Sequence, residues 1–234
     1  MVPNALISGE YVSVGRYSFV LRQGTLEDSD EVLGLVRQAA DWLRTSKDTD
    51  QWAEPWPDHA GHRDRIRNDL NKGKTWLLRD GLTAAGTITI DTEEPVDADE
   101  RPVWPAHKSP EPAIYVRRVI VGRRYSGIGL GAAMLDWAAE IATEEYRATL
   151  LRIDVWTTNV RLHTYYEGQL FARRHETDPR KLTGYPSQAL FERLAVAPEA
   201  VQKTDYRDFF RVEPGEHSRC RLLRFSTPPA SRAL

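Results

Sequence analysis

Apolar and polar residues recur along the chain in patterns that predict a mixed α/β protein. Val32, Val36 and Leu43 recur at helical spacing, which predicts a long helix with one face packed on a sheet. Thr25 to Asp28 resembles a capping box, so the helix should begin there. The β-prone run Tyr17 to Arg22 precedes it and predicts a first strand.

The middle of the chain predicts a second helix, a hairpin and a long loop. The helix covers about Arg63 to Lys72 and follows a connection rich in proline and tryptophan. Thr75 to Arg79 and Ala84 to Asp91 are predicted strands joined by a turn at Asp80-Gly81. Thr92 to Pro112 contains five prolines and six acidic residues without apolar periodicity, which indicates a loop.

The second half of the chain predicts a βαβ unit followed by a shorter helix and two strands. The unit consists of a strand Ala113 to Val121, a helix from Gly129 to about Thr143, and a strand Thr149 to Trp156. The helix should bury Leu130, Met134, Trp137, Ala138 and Ile141. A short helix, Val160 to Gly168, and strands Leu170 to Arg174 and Ser187 to Leu194 complete the predicted order.

Composition excludes several classes of protein. The 234 residues carry 32 basic and 34 acidic side chains, so no overall positive field recruits nucleic acid or an anionic membrane. No apolar run approaches the roughly 18 residues that span a bilayer, and the start lacks a secretory pattern, so we expect a cytoplasmic protein. Cys220 is the single cysteine, and His59 and His62 lack an evident third ligand, so we expect no metal.

Alternate glycines stand between the predicted strand that ends at Val121 and the helix that follows. Without Cβ atoms, Gly127, Gly129 and Gly131 let successive backbone N–H groups point into a concavity, and the helix N-terminus adds a partial positive charge. A pyrophosphate would fit there. The alternative is that the glycines only permit a tight turn.

A dinucleotide-binding fold is a sharper alternative for the same loop. Gly127-x-Gly129-x-x-Ala132 satisfies that fingerprint, and Asp154 is suitably placed for a ribose. However, five residues, Gly122 to Ser126, separate the strand from the first glycine, and too few strands remain for a second nucleotide-binding half. The spacing therefore disfavours NAD.

The loop and a second motif resemble the GNAT N-acetyltransferase superfamily. Val121 and the three glycines fit its pattern V-x-x-x-x-R/Q-G-x-G-x-G, with Ser126 where the family has Arg or Gln. Asn159 to Phe171 is similar to the second signature, N-x-x-A-x-x-[FL]-Y-E-x-x-G-F, with Leu162 and Leu170 replacing the alanine and the glycine.

The resemblance covers about residues 17 to 194 and implies the fold. That fold is an α/β (α+β) structure: a mixed, mostly antiparallel central sheet with a splayed parallel strand pair and flanking helices. The implied domain spans residues 17–196, with an N-terminal extension at 1–16 and a C-terminal extension of unknown role at 197–234.

The resemblance also implies that acetyl-CoA is the acyl donor. Val119 and Val121 would offer backbone groups to the pantetheine arm. Backbone amides along the loop would hold the pyrophosphate; the residues concerned are Arg124, Ser126, Gly127, Ile128, Gly129, Leu130 and Gly131. Asn159 either caps the short helix or touches the pantetheine arm, and capping is the favoured role.

Tyr166 matches the family's catalytic acid. A phenol stays protonated at neutral pH and can donate to the departing sulfur. The base is expected to be a carboxylate acting through water, either Glu111 or an acidic residue between Asp91 and Glu100. His163 is interpreted as structural.

Aromatic residues and arginines are the candidates for substrate binding. Trp42, Trp52 and the nearby Trp56 could form the wall of an acceptor pocket. Tyr115 and Arg117 share one strand face if alternation holds, with Arg118 on the other, so one arginine should meet substrate or cofactor.

The sequence therefore predicts an acetyl-CoA-dependent N-acetyltransferase acting on a primary amine of a small molecule. Two alternatives remain open: a protein or peptide acceptor, and an acetyl-CoA-binding regulatory module without turnover. Whether the chain forms a homodimer also stays open.

Overall fold

The computed structural model describes residues 10–47, 49–96, 103–104, 111–176 and 187–195. Within these ranges one eight-stranded sheet carries helices on both faces. In chain order the elements are β1 (Glu10–Val14), β2 (Tyr17–Gln23), α1 (Ser29–Ser46), α2 (His59–Asn71), β3 (Thr75–Asp80), β4 (Thr83–Asp91), β5 (Ala113–Val121), α3 (Leu130–Glu144), β6 (Leu150–Val155), α4 (Val160–Gly168), β7 (Ala172–Glu176) and β8 (Ala189–Leu194).

The sheet is mixed and mostly antiparallel, as the sequence predicts. Its strand order is β1-β2-β3-β4-β5-β6-β8-β7, and β5 with β6 is the parallel pair among the described strands. A doubly wound dinucleotide-binding fold needs a largely parallel sheet, so the NAD alternative is excluded by topology.

The helix and strand predictions are confirmed to within a few residues, apart from one strand. The Asp28 carboxylate accepts a hydrogen bond from the Thr25 N–H (2.7 Å), and a short 3-10 turn, Leu26–Asp28, leads into α1. The sequence reasoning missed β1, which pairs with β2 across the tight turn at Gly15-Arg16. Gly15 has a positive φ of 57°, which suits such a hairpin turn.

Each face of the sheet packs against its own hydrophobic core. On one face α3 and α4 cover the larger cluster, and the five α3 residues predicted to point inward are all buried. On the other face α1 and α2 pack Val32, Val36 and Ile66 against Leu77 of β3 and Ile120 of β5. The two helical layers therefore reach the central strands from opposite sides.

Strands β5 and β6 pair along only part of their length. The parallel ladder joins Ala113, Ile114 and Tyr115 to Leu150, Leu151 and Arg152. Beyond the Tyr115–Arg152 pair the strands have no further ladder contacts, and their facing edges diverge. The splayed parallel pair implied by the family resemblance is therefore present.

A β-bulge in β5 lies in the diverging half. Thr87 of β4 pairs with Ile120 and Thr89 with Arg117, so Arg118 and Val119 together oppose one residue of β4. Arg118 adopts left-handed backbone with φ 48°. The extra residue reverses the alternation, and Ile120 consequently packs on the α1/α2 face.

Several predictions fall on residues outside the described ranges. They concern most of the acidic Thr92 to Pro112 loop, Cys220 and the C-terminal extension.

Candidate active site

A cavity of about 280 Å³ lies between the diverging halves of β5 and β6. Four consecutive residues of the β6 segment line it: Ile153, Asp154, Val155 and Trp156. Consecutive residues of a strand point to opposite faces, so the cavity passes through the sheet. Its α1/α2 side is closed by the segment that joins those helices, and its other side reaches α4.

The glycine loop after β5 presents a row of unpartnered backbone N–H groups. The amides of Tyr125 and Ser126 donate within a short turn, to the carbonyls of Gly122 and Arg123. From Gly127 to Ala132, by contrast, the amides donate to no acceptor among the described residues. The cradle available to an anion, a continuous row of amides, therefore begins at Gly127. Of the earlier predicted positions, Ser126 uses its amide in the turn, whereas the Arg124 amide has no acceptor among the described residues.

Glycine is required at two positions of this cradle. Gly127 and Gly129 have φ values of 82° and 91°, in the left-handed region that L side chains rarely adopt. Gly129 is the N-cap of α3, so the positive end of the helix dipole meets the row of amides. At Gly131 an added Cβ would lie 2.7 Å from the Tyr165 hydroxyl, so a side chain there would displace α4 or the ring.

Tyr166 of α4 lines the cavity with a ring that is otherwise buried in the core. Its exposure is 4%, and it packs against Phe171 and Phe191. Burial raises the pKa of the Tyr166 phenol well above its ordinary value, with smaller contributions from Tyr165 and Asp154. The group is therefore a proton donor throughout the neutral range.

The two arginines of the bulge lie on the same side of the sheet, which corrects the prediction from alternation. Arg117 contacts Asp91 (2.6 Å) and Asp69 (3.5 Å), while Arg118 contacts Asp69 (2.5 Å). The left-handed residue in the bulge turns Arg118 toward α2. Both arginines line the cavity, and carboxylates compensate both charges.

His62 of α2 also lines the cavity. The sequence offers it only as a candidate metal ligand and predicts no catalytic role for it. Its ring is half-buried and forms a hydrogen bond with the Trp56 backbone. Burial, together with the nearby Arg118, Arg65 and His59, lowers the pKa of His62 below 6.5. The imidazole is therefore neutral at pH 7. Because an imidazole held to a carbonyl by one N–H keeps a lone pair on its other nitrogen, His62 can accept a proton.

The other predicted substrate-binding residues lie in three different places: the cavity, the partly exposed surface and the core. Trp52 lines the cavity, from left-handed backbone with φ 62°. Trp42 does not line it, because its indole stacks under the Arg123 guanidinium at 3.8 Å. Tyr115 is buried beside Trp104 and accepts a hydrogen bond from Arg152 (3.2 Å).

Glu111 is not brought to the cavity. It precedes β5 and approaches the Thr149 hydroxyl (3.3 Å) at the end of the strand pair where the ladder is closed. The eight residue steps from Glu111 to Val119 span about 26 Å if extended. Sequence spacing could not reveal this separation, because it depends on which end of β5 opens.

Two connections on either side of the cavity are fastened to each other. Asn159 accepts a hydrogen bond from the Leu162 N–H (3.1 Å), which is the predicted cap of α4, and donates to Gln51 (2.6 Å). The Asp50 carboxylate accepts hydrogen bonds from Trp156 (2.9 Å) and Thr158 (3.1 Å). The wall formed by the α1–α2 connection is thereby fixed relative to Tyr166.

An opened parallel strand pair, a row of free backbone amides and a buried phenol together form the candidate site of an acyltransferase. The chain belongs to the acetyltransferase (GNAT) family, whose model matches residues 28–170. It is similar to the uncharacterized N-acetyltransferase YesJ of Bacillus subtilis (strain 168), with 28% identity over 160 residues that cover 68% of this chain and 83% of that protein.

Solved structures of the same family share the fold. A GNAT-family acetyltransferase from Listeria monocytogenes 4b F2365 superposes with a TM-score of 0.61 at 22% identity, covering 79% of this chain and 99% of that one. The PaiA N-acetyltransferase of Thermoplasma acidophilum, solved in complex with coenzyme A, gives 0.55 at 15% identity, covering 76% and 99%.

Two other classes of feature are not found in the described part of the chain. Across the described ranges, no three histidine, cysteine, aspartate or glutamate side chains are grouped to bind a metal ion. None of the helices in those ranges has both the length and the apolar character of a membrane span.

Proposed function

We propose that this protein transfers an acetyl group from acetyl-CoA to the primary amine of a small molecule by direct attack. The observation that carries the proposal is the row of unpartnered amides from Gly127 to Ala132, directly beside the unpaired edges of β5 and β6. An anion on the amides and an extended amide-bearing arm between the strands would satisfy both sets of backbone groups. The pyrophosphate and pantetheine of CoA have this chemistry, and the PaiA relative was solved with coenzyme A.

The residues of the chain are assigned as follows. The backbone of Val119 and Val121 holds the pantetheine arm, and the loop amides hold the pyrophosphate. Acetyl-CoA supplies a thioester that an amine can attack. Tyr166 donates its proton to the departing sulfur as the carbon–sulfur bond breaks.

The attacking amine must lose a proton, and we assign its acceptance to His62. The described members of the predicted set of carboxylates do not line the cavity: Glu111 lies at the far end of β5, Asp91 is held by Arg117 and Lys74, and Glu93 is held by Lys74. The groups that face the ring are Arg118 from β5, Arg65 and His59 from α2, and the Trp56 backbone. Below the pKa of His62 the plot of log kcat/KM against pH should steepen by one unit of slope, and His62→Gln should remove that steepening.

The size of the cavity favours a small acceptor over a protein or peptide. About 280 Å³ must contain both the acetyl end of the donor and the amine, and the hydrogen bonds to Gln51 and Asp50 hold its wall closed. A cytoplasmic location, where acetyl-CoA is available, is part of the proposal.

The test is a panel of primary amines assayed for thiol release from acetyl-CoA, with mass spectrometry of the products. We expect acetylated small amines and no acetylated lysines in a mixture of unfolded peptides. Saturable acetyl-CoA binding without thiol release from any amine would instead establish the non-catalytic binding module.

A further inference from the structure

The acceptor side of the cavity carries more positive than negative charge. Its described cationic side chains are Arg37, Arg63, Arg65, Arg117 and Arg118, and its described acidic side chains are Glu54 and Asp154. Asp69 and Asp91 already compensate the two arginines of the bulge. Within the cavity the excess therefore resides on the arginines contributed by α1 and α2. The adjoining groove that Arg65 also lines carries charges of both signs, from Lys72 and Lys74 and from Asp64, Glu93 and Glu94.

Arg65 differs from its neighbours in how it is held. Its guanidinium stacks on the Trp56 indole, 4.6 Å from the ring centre, and it is half-buried where the cavity meets a second groove. Among the described residues, no carboxylate lies within ion-pair distance of it. Stacking fixes the plane of a guanidinium and leaves its edge of N–H donors available, which suits bidentate binding of an oxyanion.

We infer that the acceptor is a primary amine that also carries an oxyanion group, a carboxylate or a phosphate, and that Arg65 binds this group. The inference rests on the proposed function. A half-buried cation without a counter-ion is unfavourable, and an anionic ligand removes that penalty. An acceptor anchored by its oxyanion at Arg65 would present its amine beside His62. The positive surroundings disfavour the ammonium form of that amine, so they favour loss of its proton.

The experiment compares matched acceptors that differ in the oxyanion. One pair is glycine and glycinamide, and the other is phosphoethanolamine and ethanolamine. A further compound, 1,3-diaminopropane, serves as a dicationic acceptor. We expect kcat/KM to be at least about tenfold higher for the anionic member in one of the two pairs. A preference for glycine identifies the oxyanion as a carboxylate, and a preference for phosphoethanolamine identifies it as a phosphate. Arg65→Met should lower this preference by about tenfold or more, through KM for the acceptor, while KM for acetyl-CoA stays unchanged.

The matched control is Arg67→Met, which changes an exposed arginine of the same helix that does not line the cavity. It should leave the preference intact. Because each preference is a ratio compared between variants, the intrinsic reactivities of the amines cancel. A preference for neutral or dicationic acceptors, or an unchanged preference in Arg65→Met, would overturn the inference.

Calorimetry separates this inference from the proposed function. The anionic panel members are titrated into CoA-loaded wild-type and Arg65→Met protein. Saturable binding that only the variant loses supports the inference even without turnover. Turnover of neutral amines without such binding overturns it and leaves the acetyltransferase proposal standing.

Discussion

Strands β5 and β6 are hydrogen-bonded to each other along one half of their length and separated along the other half. From Ala113 to Tyr115 the ladder is complete, and a buried network covers it: Arg152 contacts both Glu192 (2.9 Å) and the Tyr115 hydroxyl (3.2 Å). Beyond Tyr115 the backbones separate and line a cavity. The candidate site is therefore a local interruption in an otherwise continuous sheet.

The difference between the halves has an identifiable source in β5. A regular strand would keep pairing with β6, but the bulge at Arg118 shifts the phase of the strand and increases its local twist. The ion pairs of Arg118 with Asp69, and of Arg117 with Asp69 and Asp91, stabilise the bulge from the α2 side. The closed half therefore holds a buried ion-pair network, and the open half holds the candidate active site.

The largest effect is expected from breaking the closed half. Arg152→Met leaves the Glu192 carboxylate, whose side chain is 6% exposed, without its buried partner, so the free energy of unfolding should fall by about 3–5 kcal/mol. Urea denaturation measures this loss. Arg174→Met removes the partner of Glu192 that is 55% exposed and should change stability by less than about 1 kcal/mol. Equal losses in the two variants would contradict the distinction.

In the open half, Tyr166→Phe should separate chemistry from folding. Loss of the proton donor should lower kcat about tenfold to 100-fold, at or below the low end for general acids because thiolates leave readily. Acetyl-CoA affinity by calorimetry should stay within about twofold, since the ring remains. Tyr165→Phe is the control, because that hydroxyl lies near Gly131 rather than in the cavity. Wild-type turnover in Tyr166→Phe would remove this phenol from the mechanism.

At the mouth of the open half, comparing Gly129→Asp with Gly129→Asn measures how much a negative charge beside the loop amides weakens acetyl-CoA binding. Both residues tolerate left-handed backbone better than most, and they have nearly the same shape. We expect Asn to weaken acetyl-CoA binding a few-fold and Asp to weaken it about tenfold further, because Asp adds a negative charge next to the amides proposed to hold the pyrophosphate. Calorimetry at low and high salt provides the measurement, and the difference in acetyl-CoA affinity between the two variants should become smaller as salt increases. Equal affinities would show that no anion binds there.

The smallest effect concerns acid stability near His62. Its pKa is lowered in the folded protein, so below pH 6.5 the unfolded chain binds a proton that the folded protein does not. Stability should therefore fall as pH falls from 6.5 toward the folded pKa, by less than about 1 kcal/mol because the ring is half exposed to solvent screening. Urea denaturation at pH 7.5 and pH 5.0 should show a smaller acid loss in His62→Asn. An identical loss in both proteins would contradict this expectation.

Most of the fold was predictable because local signals agreed with the final structure. The Asp80-Gly81 turn, the Thr25 cap and the glycine loop each specify their conformation within a few residues. The missed strand β1 had such a signal too, in the alternation of buried Val12 and Val14 before Gly15. The predicted strands begin only at Tyr17, after β1.

The site was less predictable because it depends on contacts between distant segments. Tyr166, Val119 and the glycines follow from motifs, but the bulge at Arg118 appears only when β5 is paired with β4. His62 comes to the cavity through packing of α2, which its sequence spacing does not report. Trp42 carried an aromatic signal that fitted a pocket equally well, yet it supports Arg123 instead.

The hydrogen bond between Gln51 and Asn159 constrains how relatives of this chain can diverge. Both side chains are buried, and replacing either one alone would strand a polar group at a cost of about 1–3 kcal/mol. Positions 51 and 159 should therefore change together, or not at all. Trp52 and Arg65, which line the proposed acceptor pocket, have no hydrogen bond across the cavity among the described residues, so each can change while this frame is kept.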